Sequence, residues 1–441
     1  MPASPFDSAI YRDLLQDAET AKLFTDTAEV RAMLLVEGAL ARAQAAAGLI
    51  PELAATAIHR ASLEIQIDPA ALAAESGRSA VPVPALVKAF RAELGAPEHA
   101  QYVHWGATSQ DIAETGQMLR LRQALTIWEG RLRATLHALA DLAEAHAETP
   151  MPGRTYGQIA SPTSFGALVA SWGTPLLRHL DRLEEMRPRL LCISLSGAAG
   201  TLSAMGEAGP QVRAALAQGL GLADPGTSWH AERDRIGELA AWITGVTQSL
   251  GKMGEDLTLL TQSGIGEVRL QATGGSSTMP QKQNPVLPSL LVSLAHLTGA
   301  LNTAVQGAAL HRLQRDGAAW FTEWLTVPQM AHAVGRATAV AQTLASGLTA
   351  DAARMAAAID DGSGLIYAEA FTFALARDLP RPDAQKAVTA LCQETMRTGT
   401  PLPQLLARDH PGRDWRAIAT PTAQLGTAPA QARDFARAAR A

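Results

Sequence analysis

From Gln110 to about Ala147 the chain runs without a proline, and Leu121, Leu125, Leu132, Leu136, Leu139 and Leu142 recur at steps of three, four and seven. Side chains so spaced share one face of an α-helix. At 1.5 Å per residue this helix would be roughly 55 Å long. That exceeds the needs of an ordinary globular domain and points to a bundle of long helices. Thr108 and Ser109 stand at its start, where they suit an N-cap and where a helix N-terminus also favours an anion.

Other helix signals agree. Asp26-Thr27-Ala28-Glu29 reads as a capping box, followed by Val30, Met33, Leu34, Leu40, Ala41 and Ala45 at helical spacing and closed by Gly48, with Pro51 beyond. Long helical stretches are expected over about 162–186, 232–263 and 285–312, and no convincing strand alternation is found. From about Ala350 the segments shorten and Pro380, Pro382, Pro401 and Pro403 appear. The expected fold is all-α in three helical domains: an N-terminal domain 1–107, a central long-helix bundle 108–349 containing a polar loop at 274–285, and a small C-terminal domain 350–441. Pro285 to Leu310 carries no charged residue, but His296, Asn302 and Gln306 interrupt it. It reads as a helix buried by neighbours of the same chain or another subunit, not as a membrane span.

The net charge of −5 and pI near 6.1 argue against nucleic-acid and membrane-surface partners, so an anionic ligand must be held by a local cluster of cations. Cys192 and Cys392 are the two cysteines, without a CxxC or zinc-ligand pattern. A reducing cytoplasm is expected, and the N-terminus lacks the basic and apolar regions of a signal peptide. Neither GxGxxG nor a P-loop occurs, so no cofactor is expected, and no metal.

The loop Gly274-Gly275-Ser276-Ser277-Thr278-Met279-Pro280-Gln281-Lys282-Gln283-Asn284-Pro285 can neither pack nor propagate a helix. Its glycines permit a turn whose N–H groups converge on an anion. Ser276 could exchange a proton if Lys282 and Asn284 stabilised developing negative charge, the arrangement of an oxyanion site.

GSSTMPQKQNP resembles the signature loop of the fumarase/aspartase superfamily at every defined position. Tyr102-Val103-His104-Trp105-Gly106-Ala107-Thr108-Ser109-Gln110-Asp111 resembles its carboxylate-binding region, and Met151-Pro152-Gly153-Arg154-Thr155-Tyr156-Gly157-Gln158 its GRTHxQ region. The resemblance implies a homotetramer in which three chains contribute to each site. It implies addition or elimination across a double bond next to a carboxylate. Ser276 would then exchange the proton at carbon, and Lys282 and Asn284 would hold the charge. Thr108 and Ser109 would bind a substrate carboxylate, with His104, Arg154, Arg312 and Arg315 as counter-charges. Thr155, Tyr156, Gln158 and Ser277 would also contact substrate, and Met279 would close over it.

Within the superfamily, Leu195-Ser196-Gly197-Ala198-Ala199-Gly200-Thr201-Leu202, Trp229-His230-Ala231-Glu232-Arg233-Asp234-Arg235, Gly317-Ala318-Ala319-Trp320 and Glu323-Trp324 resemble the cycloisomerase branch. This implies lactonisation of 3-carboxy-cis,cis-muconate through an aci-carboxylate in aromatic degradation. The alternatives are a fumarate-releasing lyase acting on adenylosuccinate or another substituted succinate, and a non-enzymatic helical scaffold. Tyr156 stands where the lyases have histidine and cycloisomerases typically tryptophan, and Gln385 where relatives often have histidine. His230 and Arg233 to Arg235 are either solvated charges at a helix start or members of the site.

Overall fold

The proline-free leucine segment forms one uninterrupted helix, Ser109–Ala145. The computed structural model describes residues 4–271, 273–275, 278–279 and 281–441. Seven helices carry or flank the functional residues: α1 (Asp26–Ala46), α2 (Val83–Leu94), α3 (Ser109–Ala145), α4 (Phe165–Leu190), α5 (Asp234–Leu260), α6 (Val286–Ala308) and α7 (Gly317–Gly347). Helix takes up 69% of the chain, which places it in the all-α class.

Helix α1 begins one residue earlier than the capping-box reading placed it. Thr25, not Asp26, is the N-cap, its Oγ1 accepting from the Ala28 N–H at 3.2 Å. The C-terminal signal lies where expected. Gly48 adopts φ +73°, while the Gly48 and Leu49 N–H groups donate to Ala45 and Gln44 at 2.9 Å each, closing the helix in a Schellman turn.

The structure departs from the sequence reading in two places. Helix α7 lies outside the stretches expected to be helical, and it carries Pro328 in its interior. The proline removes one N–H from the ladder, and a helix of 31 residues with other tertiary contacts absorbs that loss. The second departure is β-structure. Strands β1 (Pro150–Thr155) and β2 (Gln158–Ser164) form an antiparallel hairpin, and β3 (Val268–Leu270) pairs with β4 (Leu348–Ala350). Tyr156 and Gly157 turn the hairpin at φ +51° and +74°, the mirror-image turn that matches strand twist. At Gly153, beside a register shift, a Cβ would lie 2.6 Å from the Ser161 carbonyl oxygen, so only glycine fits.

The chain divides into two compact units: 1–131, 179–248 and 294–339 in the first, and 132–178, 249–293 and 340–441 in the second. Helices α3 to α7 each contribute residues to both. In the first unit, Met33, Leu34 and Leu40 are buried, and Trp128 stacks on Trp242 while its Nε1–H donates to Thr20. In the second, Phe165 meets Trp172 edge-on, and the Phe435 ring occupies the space above Gly173 where a Cβ would clash at 2.1 Å. Helix α6 is long and apolar enough to cross a membrane, with a mean hydropathy of 1.3, and 33% of its apolar window is buried within the chain.

Candidate active site

In the first unit the start of α3 is built around a buried carboxylate. Asp111 is fully buried and accepts four hydrogen bonds. Its Oδ1 takes the Ser196 N–H and His230 Nε2 at 2.8 Å each, and its Oδ2 takes the Thr108 and Gly197 N–H groups at 3.0 Å each. The Thr108 bond is one half of a capping box. It leaves the Thr108 hydroxyl for Arg315, whose Nη2 donates to it at 3.3 Å and to the Ala198 carbonyl at 3.4 Å. Asp111 thus joins Thr108, the Ser196-Gly197 turn and His230 into one frame, with Arg315 across the front of it.

Behind Arg315 lies a chain of polar groups. Its Nε donates to Gln110 Oε1 at 2.8 Å, and the Gln110 amide donates to Glu114 Oε1 at 2.8 Å and to the His230 carbonyl at 3.0 Å. Glu114, Arg233 and Glu323 form a buried ion triad. Arg233 reaches Glu323 in bidentate fashion at 2.9 and 2.5 Å and Glu114 at 2.7 Å, with its guanidinium 5.0 Å from the Trp229 ring centre. Burial holds the Glu114 carboxyl above its ordinary value despite the attraction of Arg233. Burial acts against the Arg233 charge too, but its two carboxylates outweigh that and strengthen its hold on the proton. Arg315 is linked to the triad through one neutral amide, that of Gln110.

His104 lies four residues before Thr108, half-buried, with its ring Nδ1 2.7 Å from Glu37 Oε1. The partner of its ring is therefore a side chain of α1. Arg312 is turned to Asp316, its Nε 2.5 Å from Oδ2, and its side chain is 80% exposed.

The second unit carries the hairpin and the polar loop. Arg154 on β1 makes a bidentate pair with the fully buried Glu267, at 2.9 and 2.5 Å. Thr155 and Gln158 are exposed partners across the turn, and Tyr156 at its tip is fully exposed. The polar loop is clamped at its ends, where Gly274 and Asn284 exchange backbone hydrogen bonds of 3.0 and 2.8 Å. A Cβ on Gly274 would lie 2.5 Å from Val286 Cγ2, so this clamp depends on glycine. Between the clamped ends, the Lys282 N–H donates to the Met279 carbonyl at 3.0 Å, and both side chains are exposed. Ser276 and Ser277 lie outside the described residues.

Residues 12–296 match the family described as Lyase. The chain belongs to this lyase family. It is thereby a member of the fumarase/aspartase superfamily. Among the lyase relatives, the 3-carboxy-cis,cis-muconate cycloisomerase of Pseudomonas aeruginosa is 42% identical over 382 residues, covering 85% of this chain and 83% of the relative. Nitrosuccinate lyase of Streptomyces davaonensis is 34% identical over 446 residues, covering 97% and 94%. The crystal structure of 3-carboxy-cis,cis-muconate lactonizing enzyme from Pseudomonas putida matches with a TM-score of 0.92 at 35% identity, covering 98% of this chain and 99% of that one.

The motif reading missed Glu37, Glu114 and Glu267, named Glu323 only within the Glu323-Trp324 likeness, and gave Gln110 and Asp111 no separate role. For Glu37 a signal existed: a carboxylate inside an apolar helical stripe needs a partner. A cavity of about 400 Å³ in the first unit, walled by Phe24, Trp320 and Trp324, is lined by none of the residues named from the sequence as site residues.

Proposed function

We propose that this protein is a cofactor-independent cycloisomerase converting 3-carboxy-cis,cis-muconate to a carboxymuconolactone, in the cytoplasm, as a homotetramer whose sites draw residues from more than one chain. A carboxylate oxygen of the substrate adds to the conjugated alkene. The carbon–oxygen bond forms as the π pair moves onto the neighbouring carboxylate, and the resulting aci-carboxylate is then protonated at carbon. Relative to the ionised substrate the lactone gains this one proton, drawn from solvent, and nothing is released.

The barrier lies largely in accumulating charge on one carboxylate, which preorganised donors stabilise by roughly 3 to 4 kcal/mol each. Lys282, Asn284 and loop N–H groups take that role. Ser276 delivers the proton, with Ser277 beside it and Met279 closing over the ligand. Thr108, Ser109 and Arg315 receive a substrate carboxylate, and His104 adds a counter-charge. Arg154 and Arg312 contribute less charge, since each already shares its guanidinium with a carboxylate. Thr155, Tyr156 and Gln158 form a wall at the hairpin turn. The apolar, largely uncovered α6 supports burial against other copies of the chain.

The observation that carries this reading is the Arg315–Thr108 pair at the N-terminal end of α3, a hydroxyl, a guanidinium and a helix start suited to a carboxylate. The 42% identity to a carboxymuconate cycloisomerase supports the particular substrate. A second reading, elimination from a substituted succinate, draws support from the likeness to nitrosuccinate lyase. Proton NMR of the products separates them. Lactone from carboxymuconate without fumarate supports the first, and fumarate released from nitrosuccinate with carboxymuconate untouched sinks it. Light scattering at four chain masses is expected in either case.

A further inference from the structure

Helix α1 has a buried face of Val30, Met33, Leu34, Val36, Leu40 and Ala41, and two polar side chains share it among the described residues, Glu37 and Gln44. Seven residues apart, they lie on one side of the helix. Both reach the same short segment. Gln44 Nε2 donates to the Trp105 carbonyl at 2.5 Å, and Glu37, 1% exposed, places both carboxylate oxygens on His104. Oε2 accepts the His104 backbone N–H at 3.1 Å and Oε1 meets ring Nδ1 at 2.7 Å. From α2, Arg91 Nη2 donates to the Val103 carbonyl at 2.8 Å. Three successive residues are thus fixed by side chains of two helices.

His104 also has φ +63°, a left-handed conformation uncommon for residues other than glycine. Bonds to the backbone would be enough to hold a loop in that shape. The additional bond to ring Nδ1 fixes which way the imidazole faces and which nitrogen remains for other partners. Ring Nε2 makes no hydrogen bond among the described residues.

We propose that Glu37 is a positioning residue that holds His104 by Nδ1 and by its strained backbone, so that the Nε2–H is presented to a carboxylate of the substrate. Glu37 itself does not touch the substrate. The inference rests on the carboxylate-binding role proposed for His104 above. Three charged groups face the ring: Glu37 from α1, Asp111 from α3 and Arg91 from α2. Burial acts against the charged ring and Arg91 opposes it, but the two carboxylates, Glu37 foremost, outweigh both and raise its pKa.

Two measurements test this, and the first needs no substrate. The pH dependence of diethyl pyrocarbonate acylation at His104, followed by peptide mass mapping, should give a midpoint above the ordinary histidine value in the native protein. Glu37→Gln, which keeps the shape and removes the charge, should lower it by about one pH unit or more. An unchanged midpoint overturns the proposal. The second is steady-state kinetics. Glu37→Gln should raise KM about tenfold or more and leave kcat within about threefold, the pattern of lost ground-state binding. In a His104→Asn background, where asparagine tolerates positive φ, adding Glu37→Gln should change KM less than about twofold. An undiminished effect in that background makes Glu37 structural and overturns the proposal. Should Glu37→Gln fail to fold, His104→Asn alone decides, since an unchanged KM overturns it and a tenfold rise supports it. Failure of the substrate assignment would show separately, as absence of turnover by the native protein, and the acylation test would still stand.

Discussion

Replacing Arg233 with methionine should destabilise the protein by about 3 to 5 kcal/mol at pH 7, the usual cost of breaking a buried ion pair. The structure supplies the reason. Arg233 gives three hydrogen bonds to Glu114 and Glu323, carboxylates that are 1% and 3% exposed. Methionine fills much of the volume and offers neither charge nor donor, so the acids must stay neutral or remain buried as anions. Keeping a glutamic acid neutral at pH 7 costs roughly 3 to 4 kcal/mol, since each unit between pH 7 and its ordinary value near 4.3 is worth about 1.36 kcal/mol. Burial already raises the Glu114 pKa in the native protein, so part of its cost is present before the change. The same arithmetic lowers the penalty to roughly 1 kcal/mol at pH 5. Urea unfolding of both proteins at pH 5 and pH 7.5, at one chain concentration, measures it. A penalty below about 1 kcal/mol at pH 7.5, or one equal at the two pH values, would refute the triad account.

Other consequences arise at single positions. Gly274→Ala places a Cβ 2.5 Å from Val286 Cγ2. It should open the loop clamp and lower kcat at least about tenfold, while melting shows a loss no larger than the roughly 1 to 3 kcal/mol of an overpacked contact. Tyr156→Ala, at a fully exposed hairpin tip, should leave the unfolding midpoint within about 0.5 kcal/mol and raise KM. A melting change without a kinetic one would remove Tyr156 from the site. Because His104 has its pKa raised by Glu37, their pairing stabilises the fold fully below the unfolded histidine value near 6.5. That contribution is lost as pH rises through the folded value, so Glu37→Gln should lower the melting temperature more at pH 6 than at pH 9.

Much of the architecture was legible because it is written in local pattern. Leu121 to Leu142 specify a long helix by spacing alone, and Gly48 with its left-handed φ ends α1 where its position suggests. Helix α7 was not read from the sequence, and its internal Pro328 alone does not account for that, since α4 carries Pro175 and was read as helical. The β1–β2 hairpin was hidden for a local reason. Its sequence, PMPGRT and QIASPTS, lacks alternation, and its register rests on Gly153 and on the mirror-image turn at Tyr156 and Gly157. Motif wording singled out Thr108, Arg154 and the polar loop as candidates. Partners far along the chain were beyond it. Asp111 gains meaning from Ser196 and His230, Arg154 from Glu267, and His104 from Glu37, pairings made only when distant segments pack.

The most direct test of the central claim is the ultraviolet absorbance of 3-carboxy-cis,cis-muconate on addition of the purified protein in a chelating buffer, with Ser276→Ala in parallel. Loss of the conjugated-diene signal with the native protein, and its persistence with the variant, is the predicted result. An unchanged signal with the native protein, or equal loss with the variant, would contradict cofactor-free lactonisation through Ser276.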